Sequence, residues 1–488
     1  MQIISNFTND LIRMKRILAA QPIREIRNNN CAQLKNSFNS LFESVALQSF
    51  NSLLKRTYLL FFIFYLLFSP IGALRAQSAF DLISRHRNLS ASNYCIYPDS
   101  ILEAHPALTP APEGKKPFYL SHYGRHGSRY LSNRIGYDIP YGLLSRADSM
   151  QLLTPLGQQV KQELKDIIDD SEGRWGDLTG LGKQQHRNIA HRMTEHFPEV
   201  FSGKAFIDAR STTVNRCILS MGSALQELMS LNPRLQVTMQ ATRRDMHYMN
   251  HQDKALRSIM KNDTIMKAFH AFCRSREQNP RLMALLINNP DSALNSEQQV
   301  LLNYYLLKTA LIQQNTHMQT RTTLIDLFTY EEIHQFWQME NVWWYLTYGP
   351  TPISGSRQPY SQRYLLRQLI ADADSIIRQP RHGAQLRFGH ETIILPLTCL
   401  LGINGFDTAF DDLEQLEPSG WWACLVFPMA SNLQFVFYRS DPADTDVLVK
   451  VLLNEQETWL PLPTDNAPYY RWSDFRDYYL RKLDAYGD

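Results

Sequence analysis

Three apolar stretches of this chain, far apart in sequence, share one layout: each reads as a strand that runs directly into polar residues. The stretch "PFYLSHYG" runs into Arg125–Arg129, "KAFIDA" into Arg210–Thr212, and "AQLRFG" into His390 and Glu391. Helical patterns follow these stretches, and strands alternating with helices predict a largely parallel α/β sheet. Ligands bind such sheets outside the carboxyl ends of the strands, where all three polar clusters would lie. The sequence therefore predicts one site built from three distant segments.

The region between the second and third clusters is predicted to be mainly helical. The stretch "NSEQQVLLNYYLLKTALIQQ" is amphipathic, and Thr329 with Glu332 forms a capping-box pattern that begins another helix. A chain of 488 residues exceeds one compact core, so one domain with an insertion, or two domains, is expected. We predict an α/β core formed by residues 77–221 and 356–488, with a helical cap inserted at 222–355.

The first 76 residues differ from the rest and have the pattern of a leader. Lys55 and Arg56 precede an apolar run from Tyr58 to Phe68, and a small-residue pattern follows that ends at Ala76. These eleven apolar residues are too few to span a bilayer comfortably but suit the core of a signal peptide. We predict cleavage after Ala76 and an exported protein, periplasmic, on the outer surface or secreted. The alternative is an uncleaved membrane anchor.

Removing the leader reverses the sign of the net charge. The full chain carries a formal +3 at pH 7, and the leader holds nine Lys/Arg against three Asp/Glu, which leaves the mature chain at −3. A slightly acidic chain lacks the general positive charge that favours nucleic-acid binding. We therefore expect no nucleic-acid partner and, in the mature form, no membrane association.

The cysteines and histidines form no strong metal-binding motif. None of the six cysteines belongs to a CxxC pair, which disfavours a zinc or redox site. Export would allow a disulfide, for which Cys399 and Cys424 are the candidates, and the alternative is buried free thiols. His247 and His251 have the i,i+4 spacing of a metal pair, but no glutamate base lies between them. We predict no metal and no cofactor.

The tripeptide Arg-His-Gly occurs twice, at 125–127 and 381–383, and phosphate chemistry favours the first copy. Phosphoryl transfer needs a nucleophile among fixed positive charges, and histidine can be that nucleophile. Arginines flank His126 on both sides, their guanidinium forks match phosphate oxygens, and Gly127 would let the backbone approach the phosphate. The second copy follows a helix instead of a strand, and it lacks the arginine three positions after the histidine. We interpret the second copy as a surface turn.

The ordered motifs "RHGSR", "ARSTTVNRCILS" and "FGHE" resemble those of the histidine acid phosphatases, branch 2 of the histidine phosphatases. Within that group, "FGHETIILPLTCLLGI" and "FPMASNLQFVFY" are most similar to the multiple inositol polyphosphate phosphatases. The resemblance extends from about residue 95 to about residue 485. It implies a phosphoglycerate-mutase-like α/β core with an inserted helical cap, and an enzyme that hydrolyses small phosphorylated molecules such as phytate.

The resemblance also implies a role for each site residue. His126 would accept the phosphoryl group, Glu391 would protonate the leaving alcohol, and the phosphate would be bound by Arg125, Arg129, Arg210 and His390. Classical members have His-Asp at the third motif and the inositol polyphosphate branch typically has His-Ala-Glu, whereas this chain has His-Glu-Thr. The sequence therefore leaves open whether the Glu391 side chain reaches the leaving group. It also leaves two alternative functions: a broad-specificity acid phosphatase for sugar phosphates or nucleotides, and a catalytically silent phosphate-binding protein of the envelope.

Overall fold

The computed structural model describes residues 78–98 and 107–486. The predicted leader at 1–76, with its apolar segment and its cleavage position, lies outside the described residues, and the prediction of export rests on it. Within the described ranges, no helix is both long enough and apolar enough to cross a membrane.

An eight-stranded mixed sheet lies at the centre of the described part of the chain. Its order is β3-β2-β4-β1-β5-β6-β7, with β8 paired to β6. The first four strands in this order are mutually parallel, and β5 is antiparallel to both β1 and β6. The strands are β1 (Lys116–Arg125), β2 (Phe206–Ser211), β3 (Gln236–Gln240), β4 (Gly383–Gly389), β5 (Asn432–Arg439), β6 (Leu448–Leu453), β7 (Gln456–Glu457) and β8 (Tyr469–Arg471).

Helices cover both faces of this sheet, which confirms the predicted α/β fold. Side chains of β1 alternate between two apolar clusters, with Tyr119 in one and Leu120 in the other. The α-helices of the described ranges are α1 (Ala79–Arg85), α2 (Ile135–Ser149), α3 (Pro155–Ser171), α4 (Gly180–His196), α5 (Asn215–Leu231), α6 (Met246–Met249), α7 (Lys254–Ile259), α8 (Asp263–Cys273), α9 (Pro280–Leu286), α10 (Pro290–Ala293), α11 (Ser296–Ile312), α12 (Tyr330–Tyr348), α13 (Arg363–Ile377), α14 (Glu391–Leu401), α15 (Ala423–Val426) and α16 (Trp472–Tyr486).

The helical region between β3 and β4 begins and ends later in the chain than the predicted cap at 222–355, because it lies between Gln240 and Gly383. Its predicted start falls inside α5, whose Met221 and Leu228 pack with Ile207 of β2 and so belong to the sheet layer. Residues 236–240 then form the edge strand β3. The predicted amphipathic helix is α11, and the predicted capping box begins α12.

The described cysteines are free thiols, all of them buried. The predicted Cys399–Cys424 disulfide is therefore wrong, and the alternative of buried free thiols is correct. Cys424 Sγ instead accepts a hydrogen bond of 3.4 Å from Trp337 Nε1.

The register of the parallel strands brings the three predicted polar clusters to one edge of the sheet. Arg125, the last residue of β1, pairs with Gly389, the last residue of β4. Ser211, the last residue of β2, pairs with Phe388 of β4. The residues that follow these three strands therefore emerge side by side.

Candidate active site

His126 leaves the end of β1 in a fixed orientation. Its backbone N–H donates to Gly389 O at 2.9 Å, and its carbonyl accepts from Ala430 N at 3.0 Å, so both neighbouring strands hold it. The ring Nδ1 lies 2.9 Å from Gly127 O, to which it can only donate. In the neutral ring, Nε2 then carries the free lone pair, and this buried atom has no hydrogen-bond partner among the described residues. Burial and the charges of Arg125 and Arg129 lower the pKa of His126 well below its ordinary value, which favours the nucleophilic neutral form.

Gly127 is required by packing against a second glycine. A Cβ added to Gly127 would lie 2.4 Å from Gly182 O, and a Cβ added to Gly182 would lie 2.3 Å from Ser128 O. Gly182 lies in the first turn of α4, where the side chain of the N-cap Thr179 accepts its N–H. The two glycines therefore allow the first turn of α4 to pack against the loop that follows β1. This packing explains why residue 127 is a glycine, which the sequence analysis attributed to close approach of the backbone to phosphate.

Two of the predicted phosphate-binding arginines line the space around His126. Arg125 is fully buried and donates to Phe427 O at 2.6 Å, while its Nη2 has no partner in the described ranges. Burial lowers the pKa of Arg125 to about 10, so it stays cationic at neutral pH. The guanidinium of Arg129 lies 5.4 Å from the centroid of the Tyr94 ring, and its buried Nε is likewise unpaired.

Arg210, the third predicted phosphate ligand, does not line this space. Its side chain forms an ion pair of 2.9 Å with Asp208 and donates to the Tyr248 hydroxyl at 3.0 Å. The reason is the alternation of side chains along β2: Ala209 faces the α4 and α5 layer, and Arg210 projects to the other face. Arg216, in the first turn of α5, instead lines a cavity together with Arg129, His390 and Glu391. Burial and the charge of Arg129 lower the pKa of Arg216.

His390 lies beside His126, where the sequence analysis expects it. It occupies the N-cap position of α14, and its ring centroid lies 5.8 Å from that of His126. A hydrogen bond of 3.2 Å joins His390 Nε2 to Thr212 Oγ1. Burial lowers the pKa of His390 to about 4, so the ring is neutral at neutral pH.

Glu391 is the first residue of α14, and its carboxylate lies within the arginine cluster. Oε2 is 3.2 Å from Arg125 Nε and 3.7 Å from His126 Nε2. Oε1 accepts a hydrogen bond of 3.3 Å from Asn93 Nδ2. Burial opposes ionisation, but Arg125 and Arg129 outweigh it and hold the pKa of Glu391 at about 2. Glu391, which directly follows His390, therefore brings its carboxylate beside His126 without an intervening residue.

The site has the charge of an anion-binding site. His126, His390 and Glu391 offer ligand atoms within 4.8 Å of one another, as a metal site would. However, three guanidinium groups, those of Arg125, Arg129 and Arg216, act on the same buried space. A cation there would face three positive charges, whereas a phosphate dianion would neutralise them. The donor set therefore fits a phosphate group.

Comparison with known proteins places the chain in a family. The model of the histidine phosphatase superfamily (branch 2) matches residues 124–454. The chain belongs to branch 2 of the histidine phosphatase superfamily. It is 25% identical over 341 residues to human multiple inositol polyphosphate phosphatase 1, covering 64% of this chain and 67% of the human protein.

Two solved structures share the fold of this branch 2 histidine phosphatase. The multiple inositol polyphosphate phosphatase of Bifidobacterium longum, in complex with inositol hexasulfate, has a TM-score of 0.64 at 17% identity and covers 79% of this chain and 96% of its own. The phytase of D. castellii has a TM-score of 0.54 at 15% identity, over 81% of this chain and 85% of its own.

The catalytic cavity of the histidine phosphatase has a volume of about 350 Å³. It is lined by Arg129, Arg216, His390 and Glu391 and by residues of the helical region between β3 and β4. The latter are Asn250, His251, Gln252, Asp253, Leu256, Arg257, Met260, Tyr348, Gln358, Ser361 and Gln362. Sequence analysis missed Arg216 and these residues of the helical region. The motif "STTVNRC" held a usable signal for Arg216, because an arginine in the first turn of a helix lies where anions bind.

The second Arg-His-Gly lies at the other end of the sheet, as predicted. Gly383 begins β4, whereas the catalytic cavity lies beyond its end at Gly389. His382 Nε2 contacts Ser202 O at 2.9 Å, and the Arg381 guanidinium lies 4.1 Å from the Phe206 ring centroid. These side chains contact the start of the sheet and take no part in the cavity.

Proposed function

We propose that this histidine-type phosphatase hydrolyses phosphate monoesters of inositol polyphosphates through a phosphohistidine formed on His126. The observation that carries the proposal is the orientation of that ring. Its Nδ1 is committed to Gly127 O, and its unpartnered Nε2 points into a buried space shared with three guanidinium groups. Phosphate binding alone would not require a neutral, oriented imidazole, so the arrangement favours catalysis over simple binding.

In the first step, the ester phosphate is bound by Arg125, Arg129 and Arg216, and His126 Nε2 attacks phosphorus. The bond from phosphorus to the leaving oxygen breaks as the N–P bond forms, and the guanidinium groups stabilise the equatorial oxygens. Glu391 donates its proton to the leaving alkoxide, which departs as an alcohol. Water then attacks the phosphohistidine, Glu391 accepts a proton from that water, and inorganic phosphate leaves.

The Glu391 carboxylate must move when substrate binds. Only 3.7 Å separates its Oε2 from His126 Nε2, and a phosphorus with its leaving oxygen needs more room than that between nucleophile and acid. The entering phosphate therefore takes over the contact with Arg125 and brings its own negative charge beside the carboxylate. Both changes raise the pKa of Glu391 from about 2 and favour the protonated form that the first step needs.

The substrate class is proposed from the lining of the cavity and from the relatives. Arg257 and His251 line the same cavity as Arg129 and Arg216, so they offer nitrogen donors to further phosphate groups on a ring. The human relative and the B. longum structure are named as inositol polyphosphate phosphatases, and the latter holds inositol hexasulfate. Together these observations support inositol polyphosphates such as phytate as substrates. Export of the mature enzyme remains part of the proposal, on the sequence of the leader alone.

Phosphate release from inositol hexakisphosphate and from p-nitrophenyl phosphate, followed from pH 4 to 7, tests the proposal. His126→Ala should lose release from both esters, and a radiolabelled, acid-labile adduct should form on the wild type but not on this variant. His382→Ala is the matched control, because it changes the histidine of the other Arg-His-Gly and should leave activity unchanged.

Three outcomes would count against parts of the proposal. Rapid turnover of the aryl ester with little release from inositol hexakisphosphate would indicate a general acid phosphatase. Phosphate binding with no release from either ester would indicate a binding protein. Equal loss of activity in both histidine variants would contradict the assignment of the nucleophile.

A further inference from the structure

A short segment before the sheet, the 3₁₀ helix Arg87–Tyr94, reaches the catalytic residues from outside the sheet. Asn315, beyond the end of α11, fixes the end of this segment by donating from Nδ2 to Tyr94 O at 2.7 Å. Inside it, Ser92 has φ 53° and ψ −119°, a conformation that non-glycine residues rarely adopt. Strain of this kind persists only where the surroundings impose it, and here it precedes the two residues that enter the site.

These two residues contact different parts of the catalytic machinery. Asn93 is buried and donates from Nδ2 to Glu391 Oε1 at 3.3 Å. The ring of Tyr94 lies between two cations, with the Arg129 guanidinium 5.4 Å and the Lys308 ammonium 5.6 Å from its centroid. The segment therefore contacts Glu391, the proposed proton donor, through Asn93, and Arg129, a proposed phosphate-binding residue, through Tyr94.

We propose that Asn93 is a positioning residue for the general acid, which holds Glu391 Oε1 as a hydrogen-bond acceptor so that the catalytic proton resides on Oε2. This inference rests on the proposed function, because it assigns the orientation of the acid in that reaction.

The assignment follows from the contacts of the two carboxyl oxygens. An oxygen that accepts the Asn93 N–H is the carbonyl-type oxygen once the group is protonated, which leaves the proton on the other oxygen. That other oxygen, Oε2, is the one on the side of His126, at 3.7 Å from Nε2. When phosphate displaces the carboxylate from Arg125, the contact with Asn93 is the remaining hydrogen bond that fixes which oxygen faces the leaving group.

The step that Asn93 would assist balances as follows. The His126 Nε2 lone pair forms the bond to phosphorus, and the electron pair of the breaking P–O bond passes to the leaving oxygen. That oxygen takes the proton from Glu391 Oε2, so an alcohol departs and Glu391 becomes a carboxylate. Asn93 gains and loses no bond to the substrate, and its amide stays on Oε1 throughout.

The dependence of the rate on the leaving group distinguishes this role from a structural one. An alkoxide must be protonated to leave, whereas p-nitrophenolate is a weak base and departs with little help. The ratio of kcat/KM for inositol hexakisphosphate to kcat/KM for p-nitrophenyl phosphate therefore reports on the acid. We would measure this ratio in the full chain for Asn93→Leu, which keeps a similar volume and removes the donor, and for Asn93→Ser, which keeps a shorter donor. Glu391→Gln gives the ratio for complete loss of the acid.

We expect Asn93→Leu to lower the ratio about 10- to 100-fold, in the range for one lost hydrogen bond to a charged group, and Asn93→Ser to lower it less. Ser90→Ala is the matched control, because it removes a partly buried hydrogen bond of 2.6 Å within the same segment, to Arg87 O, without touching the site. It should leave the ratio unchanged even if the melting temperature falls. An unchanged ratio in both Asn93 variants, or an equal loss for both esters, would overturn the inference while leaving the phosphatase intact. A wild-type chain that releases phosphate from neither ester would overturn the proposed function itself, and the inference with it.

Discussion

Replacing Arg216 and Arg210 one at a time gives the sharpest test of how this site is built. Both residues belong to the motif "ARSTTVNRCILS", and a motif alone does not say which one meets the phosphate. The Arg216 guanidinium lines the catalytic cavity, and its buried Nε has no partner among the described residues. Arg210 is already engaged by Asp208 and Tyr248. Replacing Arg216 should therefore reduce activity without reducing stability, and replacing Arg210 should reduce stability without reducing activity.

Arg216→Ala should lower kcat/KM for a phosphate monoester about 100-fold, since one charge-assisted contact contributes up to about 3 kcal/mol and two arginines remain. The same change should leave the fold as stable or stabilise it, because the charges of Arg129 and Arg216 repel each other in the absence of substrate. Arg210→Ala should leave kcat/KM within about twofold. It should cost about 1 kcal/mol of unfolding free energy, the upper end for an ion pair near the surface.

Steady-state kinetics with p-nitrophenyl phosphate and thermal melts of both variants decide the question. Competitive inhibition by inorganic phosphate adds a binding measurement, and we expect it to weaken only in Arg216→Ala. A larger loss of activity in Arg210→Ala, with Arg216→Ala close to wild type, would refute the structural assignment and restore the one made from the sequence.

Four further predictions rest on other features of the site and core. Gly127→Ala should destabilise the protein by about 1–3 kcal/mol and reduce activity, because its Cβ would meet Gly182 O; a urea titration measures this. A chelator should leave phosphate release unchanged, since the cluster of histidines and carboxylate is surrounded by arginines. Burial lowers the pKa of His186 to about 3, so between about pH 6.5 and 3 the unfolded state binds a proton that the native state does not. The free energy of unfolding should therefore decrease as the pH is lowered through that window, and urea titrations at pH 6, 5 and 4 should show that His186→Gln reduces this decrease by up to about 1.4 kcal/mol per pH unit. Glu391→Gln should bind inorganic phosphate about tenfold more tightly by calorimetry while losing turnover, because the competing carboxylate is gone.

The parallel part of the fold could be predicted because it is encoded locally. Each of β1, β2 and β4 is an apolar run followed by polar residues, and the shared edge follows from how parallel strands align. The edge strand β3 could not be predicted in this way. Its sequence "QVTMQ" is mostly polar and its residues are largely exposed, so it resembles a loop within a helical region.

The sequence predicted those residues of the candidate site whose position follows from the end of a strand. His126, Arg125, Arg129, His390 and Glu391 all lie at or just after strand ends, and all come together. The sequence did not show that Arg216 and not Arg210 lines the cavity. That distinction depends on which face of the sheet each side chain points to, and therefore on where β2 ends. The contact of Asn93 with Glu391 could not be predicted, because Asn93 lies in a 3₁₀ helix outside the sheet, where the alignment of the parallel strands does not fix its position.

In the proposed mechanism, the position of Glu391 links substrate binding to protonation of the acid. In the free enzyme, the guanidinium groups of Arg125, Arg129 and Arg216 surround a neutral His126, and the Glu391 carboxylate supplies the negative charge that stabilises them. A phosphate that enters the cluster replaces this charge, and the displaced carboxylate then lies beside an anion in a buried site, where its ionised form is disfavoured. A dianionic ester therefore binds with uptake of a proton from solvent, whereas a monoanionic ester brings the proton itself. The second pKa of a phosphate monoester lies near 6. Productive binding should thus strengthen as the pH falls through that value, and the same carboxylate that competes with the substrate at higher pH becomes the acid that completes its reaction.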